Sequence, residues 1–162
     1  MPKLKPRGRN DSHIFDYSKI TEQIYIGSDL CKGGVCKIHG EEFKSLRVTV
    51  EINLSQEGNE LPPKDIETYA WIPVVDGYSP TQAQLDMGTS IINEAIKGDK
   101  RVYVHCRNGH ARSPTLVAAY LIRFKGMSLD EVTKLIKEKR PETHIEVAQI
   151  EELKRFWQRW SK

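Results

Sequence analysis

The stretch Val102-Tyr103-Val104-His105-Cys106-Arg107-Asn108-Gly109-His110-Ala111-Arg112-Ser113 passes from a β-branched run through a short loop into a helical apolar pattern. A chain entering a helix presents backbone N–H groups with no partner inside it, and the helix dipole there favours negative charge. A phosphate fits at their focus, and Cys106 lies at its base, where the same field favours the thiolate. Cysteines so placed have pKa values of about 3.5–7.5, against about 8.5 when free. The Cys-x5-Arg spacing from Cys106 to Arg112 lets the loop curl around the anion and return a planar guanidinium to its rim, where it makes two parallel charge-assisted bonds. Ser113 follows, with a hydroxyl placed to donate to the Cys106 sulfur and ease its departure as a thiolate. The expected chemistry is nucleophilic attack by sulfur on phosphorus. The segment Arg107, Asn108, Gly109, His110, Ala111 and Arg112 forms the cradle, and Gly109 allows the sharp turn that aims amides inward. His105 orients the loop rather than serving as a base.

The elements that must position this loop follow from periodicity. β-Branched and aromatic runs at 24–26, 47–54, 68–75 and 101–105 predict strands. A helix is expected over 80–97, with Ser79 as cap, Pro80 at the first helical position and Gln82 closing a capping box. Leu116, Val117, Tyr120, Leu121 and Phe124 stripe a second helix that stops at Gly126. Ser128 and Glu131 form a capping box for a third, with Met127 and Val132 at the staple positions. Thr143 and Glu146 repeat the pattern before a fourth, whose Ile150, Leu153, Trp157 and Trp160 predict packing through the tryptophans. The fold class expected is α/β, a single domain with a central mixed β-sheet of four to five strands flanked by helices, over residues 20–162. Residues 1–19 are expected to be a flexible basic arm.

Composition narrows the function classes. The chain has 162 residues, 38% hydrophobic and 29% charged, and no apolar run approaches the ~20 residues of a membrane span. The net charge of +3 is too mild to indicate nucleic acid, although Lys3, Lys5, Arg7 and Arg9 concentrate charge in the arm. That arm lacks the apolar stretch of a secretory signal, and three cysteines do not make a disulfide framework, so a reducing cytoplasm is expected; a monomer is the expected state, although no residue pattern specifies it. Cys31, Cys36 and His39 make at most a partial metal site, with a disulfide or an ordinary loop as the other readings. No metal or cofactor is expected. A nucleotide P-loop is excluded, since no Gly-Lys-Ser/Thr follows the turn.

The His-Cys-x5-Arg-Ser loop resembles the active-site loop of the protein tyrosine phosphatase superfamily, specifically its dual-specificity branch. Residues 111–122, 127–132 and 139–141 share the resemblance, as does Ile24-Tyr25-Ile26-Gly27-Ser28, so it covers roughly residues 20–160. It implies hydrolysis of phosphomonoesters through a phosphocysteine intermediate. It also implies a general acid some thirty residues before the cysteine, on a loop after a strand. Asp76 in Val75-Asp76-Gly77-Tyr78 fits that place, and Asp86 is the other candidate. Against activity stand two plainer possibilities, a strand-terminal cysteine that is only buried and a catalytically dead phosphate-binding module. The expected substrates are proteins carrying phosphotyrosine, phosphoserine or phosphothreonine. Lipid-directed members, including the mitochondrial phosphatidylglycerophosphate phosphatase, carry basic residues where Arg107 and His110 stand, so an anionic phospholipid is the alternative. His144 is expected to be a helix-start residue and not a catalyst.

Overall fold

The computed structural model describes residues 15–29, 44–59 and 61–161. Its five-stranded sheet contains β1 (Tyr17–Lys19), β2 (Ile24–Gly27), β3 (Val48–Ser55), β4 (Thr68–Val74) and β5 (Arg101–His105), in the order β1-β2-β5-β3-β4. The β1–β2 pair is antiparallel and the other pairs are parallel, so the sheet is mixed, as expected. Among the described residues four long helices accompany the sheet: α1 (Gln82–Lys97), between β4 and β5, and then α2 (Arg112–Lys125), α3 (Leu129–Lys139) and α4 (Val147–Trp160).

Successive residues of a strand face opposite sides of the sheet, and the two sides carry different cores. Ile24, Ile26, Val50, Ile52, Val102 and Val104 pack in one cluster with Leu85 and Ile92 of α1, Leu116 and Leu121 of α2, Val132 of α3, and Leu153 and Phe156 of α4. Tyr25 and Tyr103, on the alternate positions, form a second cluster with Phe15 and with Val48, which an irregularity of β3 between Val48 and Val50 brings to that side. Tyr25 and Tyr103 are directly paired in register.

The short strand β1 corrects the boundary of the expected arm. Phe15 is fully buried and Tyr17–Lys19 add an edge to β2, so the ordered domain starts before residue 20. The reason is long-range pairing, which three residues lacking a clear alternation do not advertise. Lys3, Lys5, Arg7 and Arg9 lie outside the described residues, as do Cys31, Cys36 and His39.

Helix starts differ in instructive ways. Ser128 and Glu131 form the expected capping box, and Gly126 ends α2 in the left-handed conformation at φ 66°. The box of α1 belongs instead to Thr81 and Gln84, two residues beyond the expected cap at Ser79. Likewise the box of α4 uses Glu146 and Gln149, not Thr143 and Glu146. Before α1 two Ser/Thr-x-x-Gln frames overlap and local sequence cannot choose between them, whereas α4 starts from a glutamate cap that the Ser/Thr pattern does not include. The tryptophans of α4 are also not its packing face: Gln149, Leu153 and Phe156 are buried, whereas Trp157 and Trp160 are exposed. Trp160 instead takes the Arg123 guanidinium over its ring at 3.8 Å and donates from Nε1 to Asp86.

Candidate active site

The loop from Cys106 to Ala111 leaves the carboxyl end of β5, next to β2 and β3, at the end of a parallel sheet where crevices form in such folds. Each of its six carbonyls is taken by a donor. The Cys106 oxygen meets His105 Nδ1 at 3.1 Å, and the Arg107 oxygen accepts from the Asp29 amide at 3.0 Å. The Asn108 and Gly109 oxygens accept from Arg140 Nη2 at 2.9 Å and Nε at 2.8 Å. The His110 oxygen accepts from the His144 amide at 2.7 Å, and the Ala111 oxygen from the Thr115 amide at 3.0 Å. Because a trans peptide points its C=O and the next N–H in opposite directions, donors ranged around the outside of the loop turn the amides of residues 107–112 towards its centre. Gly109 adopts φ +72°, and a Cβ there would overlap the Gly27 carbonyl. Only glycine lets the loop lie this close to β2.

Cys106 is buried at the base of this ring. Burial alone would push its thiol up, but the Arg112 guanidinium, the Ser113 hydroxyl and the Ser113 and Gly109 amides outweigh that and hold it below its ordinary value. Ser113 Oγ is 3.4 Å from the sulfur. A cavity of about 200 Å³ opens over Cys106 and is lined by Arg107, Asn108, His110, Ala111, Arg112, Asp76, His144 and Glu146. The residues singled out from sequence therefore converge, although Asp76 is 30 positions from Cys106 in the chain.

Arg112 is held by groups that sequence reading missed. Glu57 grips it bidentately, with Nη1 to Oε1 at 2.6 Å and Nη2 to Oε2 at 2.8 Å, while Nη1 also donates to the Val74 oxygen at 2.7 Å. Asp76 Oδ1 lies 3.5 Å from Nη2, and the Asp76 side chain is 77% exposed. Arg112 Nε is buried with no protein partner among the described residues. Glu57 loses from burial but gains more from the Arg112, backbone and Ser55 hydrogen bonds, and its carboxyl is held down to about 2. Asp86, the other candidate acid, is bound to Arg159 and Trp160 and does not line the cavity.

Two further residues were not anticipated. Arg140 is fully buried behind the loop, and besides the Asn108 and Gly109 oxygens it binds Ser18 Oγ and Asp16 Oδ1, each at 3.0 Å. Glu51, fully buried on β3, meets His105 Nε2 at 2.8 Å. Arg140 was visible as part of the Lys139-Arg140-Pro141 pattern, but nothing local assigned it a task. A glutamate amid β-branched neighbours at 48–52 was the available signal for Glu51. His144, read as a helix-start residue, stands instead on the cavity rim before the Glu146 cap, with its Nε2 3.1 Å from Glu146 Oε1.

The architecture and loop have counterparts among known proteins. Residues 33–159 match the family described as dual specificity phosphatase, catalytic domain. The chain is 29% identical over 124 residues to tyrosine-protein phosphatase vhp-1 of Caenorhabditis elegans, covering 75% of this chain and 18% of that one. It is 39% identical over 77 residues to phosphatidylglycerophosphatase and protein-tyrosine phosphatase 1 of Rattus norvegicus, covering 48% and 40%. The matched stretches are less than half the length of either relative. The crystal structure of PTPMT1 in complex with PI(5)P superposes with a TM-score of 0.78 at 26% identity, covering 90% of this chain and 96% of that one. With the family match running from before β3 through β5, the loop and the helices behind it, the chain belongs to the dual specificity phosphatase catalytic-domain family and is a phosphatase.

Proposed function

We propose that the chain hydrolyses phosphomonoesters of proteins, phosphotyrosine first and phosphoserine or phosphothreonine with it, through a phosphocysteine on Cys106. The observation that carries this is a thiol held below its ordinary value at the base of a ring whose amides face inward. Cys106 Sγ forms a bond to phosphorus as the bond from phosphorus to the leaving oxygen breaks, and the Asp76 carboxylic acid gives that oxygen its proton. Arg112 and the loop amides hold the equatorial oxygens, with the buried Nε of Arg112 as the donor still open. Water then attacks phosphorus, Asp76 takes the proton, and the S–P bond breaks, with the Ser113 hydroxyl donating to the departing thiolate. The reading of Cys106 as only a buried cysteine gives no reason for that unpartnered donor beside it, and an inert phosphate binder gives no reason for the depressed thiol. A thiolate nucleophile needs a reducing setting, which supports a cytoplasmic place for this domain. No helix among the described residues is long and apolar enough to cross a membrane.

A second reading, hydrolysis of a phospholipid headgroup, is favoured by one observation: Arg107 and His110 both line the cavity mouth beside the loop. The name of the rat relative and the PI(5)P bound to PTPMT1 accord with it. Assay of a phosphotyrosyl peptide against vesicles containing phosphatidylglycerophosphate or phosphoinositides separates the two. The protein reading predicts higher kcat/KM on the peptide. Preference for vesicles, lost selectively in Arg107→Ala, would replace it with the lipid reading, whereas equal loss on all substrates would remove Arg107 as a lipid determinant.

A further inference from the structure

Behind the nucleophile lies a pair of buried titratable side chains that the reaction does not use. Glu51 and His105 are both fully buried, on adjacent parallel strands β3 and β5. His105 Nε2 is 2.8 Å from Glu51 Oε1, and His105 Nδ1 is 3.1 Å from the Cys106 carbonyl oxygen. The Tyr103 ring lies against the imidazole, with centroids 5.5 Å apart, and its hydroxyl is committed to the Ser28 oxygen at 2.6 Å. Glu51 Oε2 is buried with no partner among the described residues, so Oε1 and the imidazole carry the polar engagement of this carboxyl.

The arrangement of donors fixes the protons. A carbonyl oxygen only accepts, so Nδ1 must carry a hydrogen and donate to Cys106. The 2.8 Å contact on the other side then needs one proton between Nε2 and Oε1. Either a carboxylic acid donates to a neutral ring or a charged ring donates to a carboxylate, and the pair has zero net charge in both cases. A bare Nε2 facing a carboxylate would set two acceptors against each other. The tautomer with hydrogen on Nε2 and none on Nδ1 would leave the Cys106 carbonyl unbonded.

We infer that Glu51 is a positioning residue for the nucleophile: it locks His105 in the form that donates from Nδ1 to the Cys106 carbonyl, and so turns the first peptide of the loop. This rests on the reading of Cys106 as the nucleophile. The Cys106 carbonyl is the first of the six bonded around the loop, and the only one of them bonded to a side chain of the sheet. Turned towards His105, it directs the Arg107 amide the opposite way. With the lock absent the ring can rotate or change tautomer, the first amide loses its aim, and the thiolate loses part of its stabilisation.

The test compares Glu51→Leu with Glu51→Gln. A glutamine carboxamide can donate to Nε2 and preserve hydrogen on Nδ1, whereas leucine cannot. In Glu51→Leu, the pH profile of Cys106 alkylation by iodoacetamide should move to higher pH and kcat/KM on an aryl phosphate should fall about tenfold, the equivalent of one lost hydrogen bond. Glu51→Gln should restore most of both, and Glu51→Leu should add nothing in a His105→Ala background. Folded Glu51→Leu protein with the parental alkylation profile would overturn the inference, as would full additivity with His105→Ala. If Glu51→Leu fails to fold, ¹⁵N NMR of His105 in the unaltered protein decides: hydrogen on Nδ1 is required, and hydrogen on Nε2 with a bare Nδ1 would refute it. Alkylation and NMR need no substrate, so their outcome stands apart from the phosphatase reading, which turnover in Cys106→Ser tests.

Discussion

Arg112 and Arg140 are both buried, and both serve the same loop, yet their guanidinium groups stand in opposite states. Around Arg140 every nitrogen has a protein acceptor: the Gly109 and Asn108 oxygens, Ser18 and Asp16. Arg112 is clamped by Glu57 and Val74 on its two terminal nitrogens, but its Nε has no partner among the described residues. The closed guanidinium shapes the loop from outside, and the open one faces the cavity. Residue type and burial are the same in both, so under the proposed function it is the unpartnered Nε that separates a binding role from a scaffolding one.

Substituting the two arginines should separate these roles. Arg112→Met should lower kcat/KM by about 10³-fold or more and shift Cys106 alkylation to higher pH, because the guanidinium charge is the largest of the influences that offset burial of the thiol. On the same open side, Asp76→Asn should cost about 10²–10⁴-fold on esters with poor leaving groups and much less on activated aryl phosphates. A uniform loss across leaving groups would remove Asp76 as the acid. Arg140→Met should act mainly on stability, by about 3–5 kcal/mol in denaturant unfolding, since it strands the partly buried Asp16 and two loop carbonyls. Were Arg140→Met as stable as the parent, the scaffolding role would fail.

Smaller effects refine the contrast. Gly109→Ala should cost about 1–3 kcal/mol from its positive φ alone, with the overlap on Gly27 added to that, and should melt earlier than a surface Gly126→Ala control. The Glu57 clamp should give a pH signature. Its folded carboxyl is held at about 2, below the model-compound value of 4.5, so its contribution is complete above about 4.5 and is lost as pH falls towards 2. Glu57→Gln should therefore flatten the acid limb of the stability curve, and an unchanged limb would contradict the clamp.

What sequence made legible was whatever short-range spacing specifies. Cys106, Arg112 and Ser113 share one loop, and the Ser128 box and Gly126 stop are complete within a few residues. The fold class followed from strands whose β-branched runs coincide with β3, β4 and β5 to within a residue at either end. The supports of the loop were not legible, because they arrive from afar. Glu57 meets Arg112 across 55 positions, Glu51 meets His105 across 54, and Arg140 meets Asp16 across 124. None lies within a helical or strand period of its partner. Trp157 and Trp160 misled for a different reason: their spacing fits an apolar face, but Leu153 and Phe156 already fill the core side of α4.

The central claim is that sulfur of Cys106 carries the phosphoryl group. Rapid acid quench of the Asp76→Asn variant during turnover of an aryl phosphate, followed by mass spectrometry of the peptides, tests it directly, because that variant should slow breakdown of the intermediate. The account predicts one phosphoryl group on the peptide containing Cys106, absent in the Cys106→Ser double variant. A phosphoryl group on another residue, or continued turnover in Cys106→Ser, would contradict it.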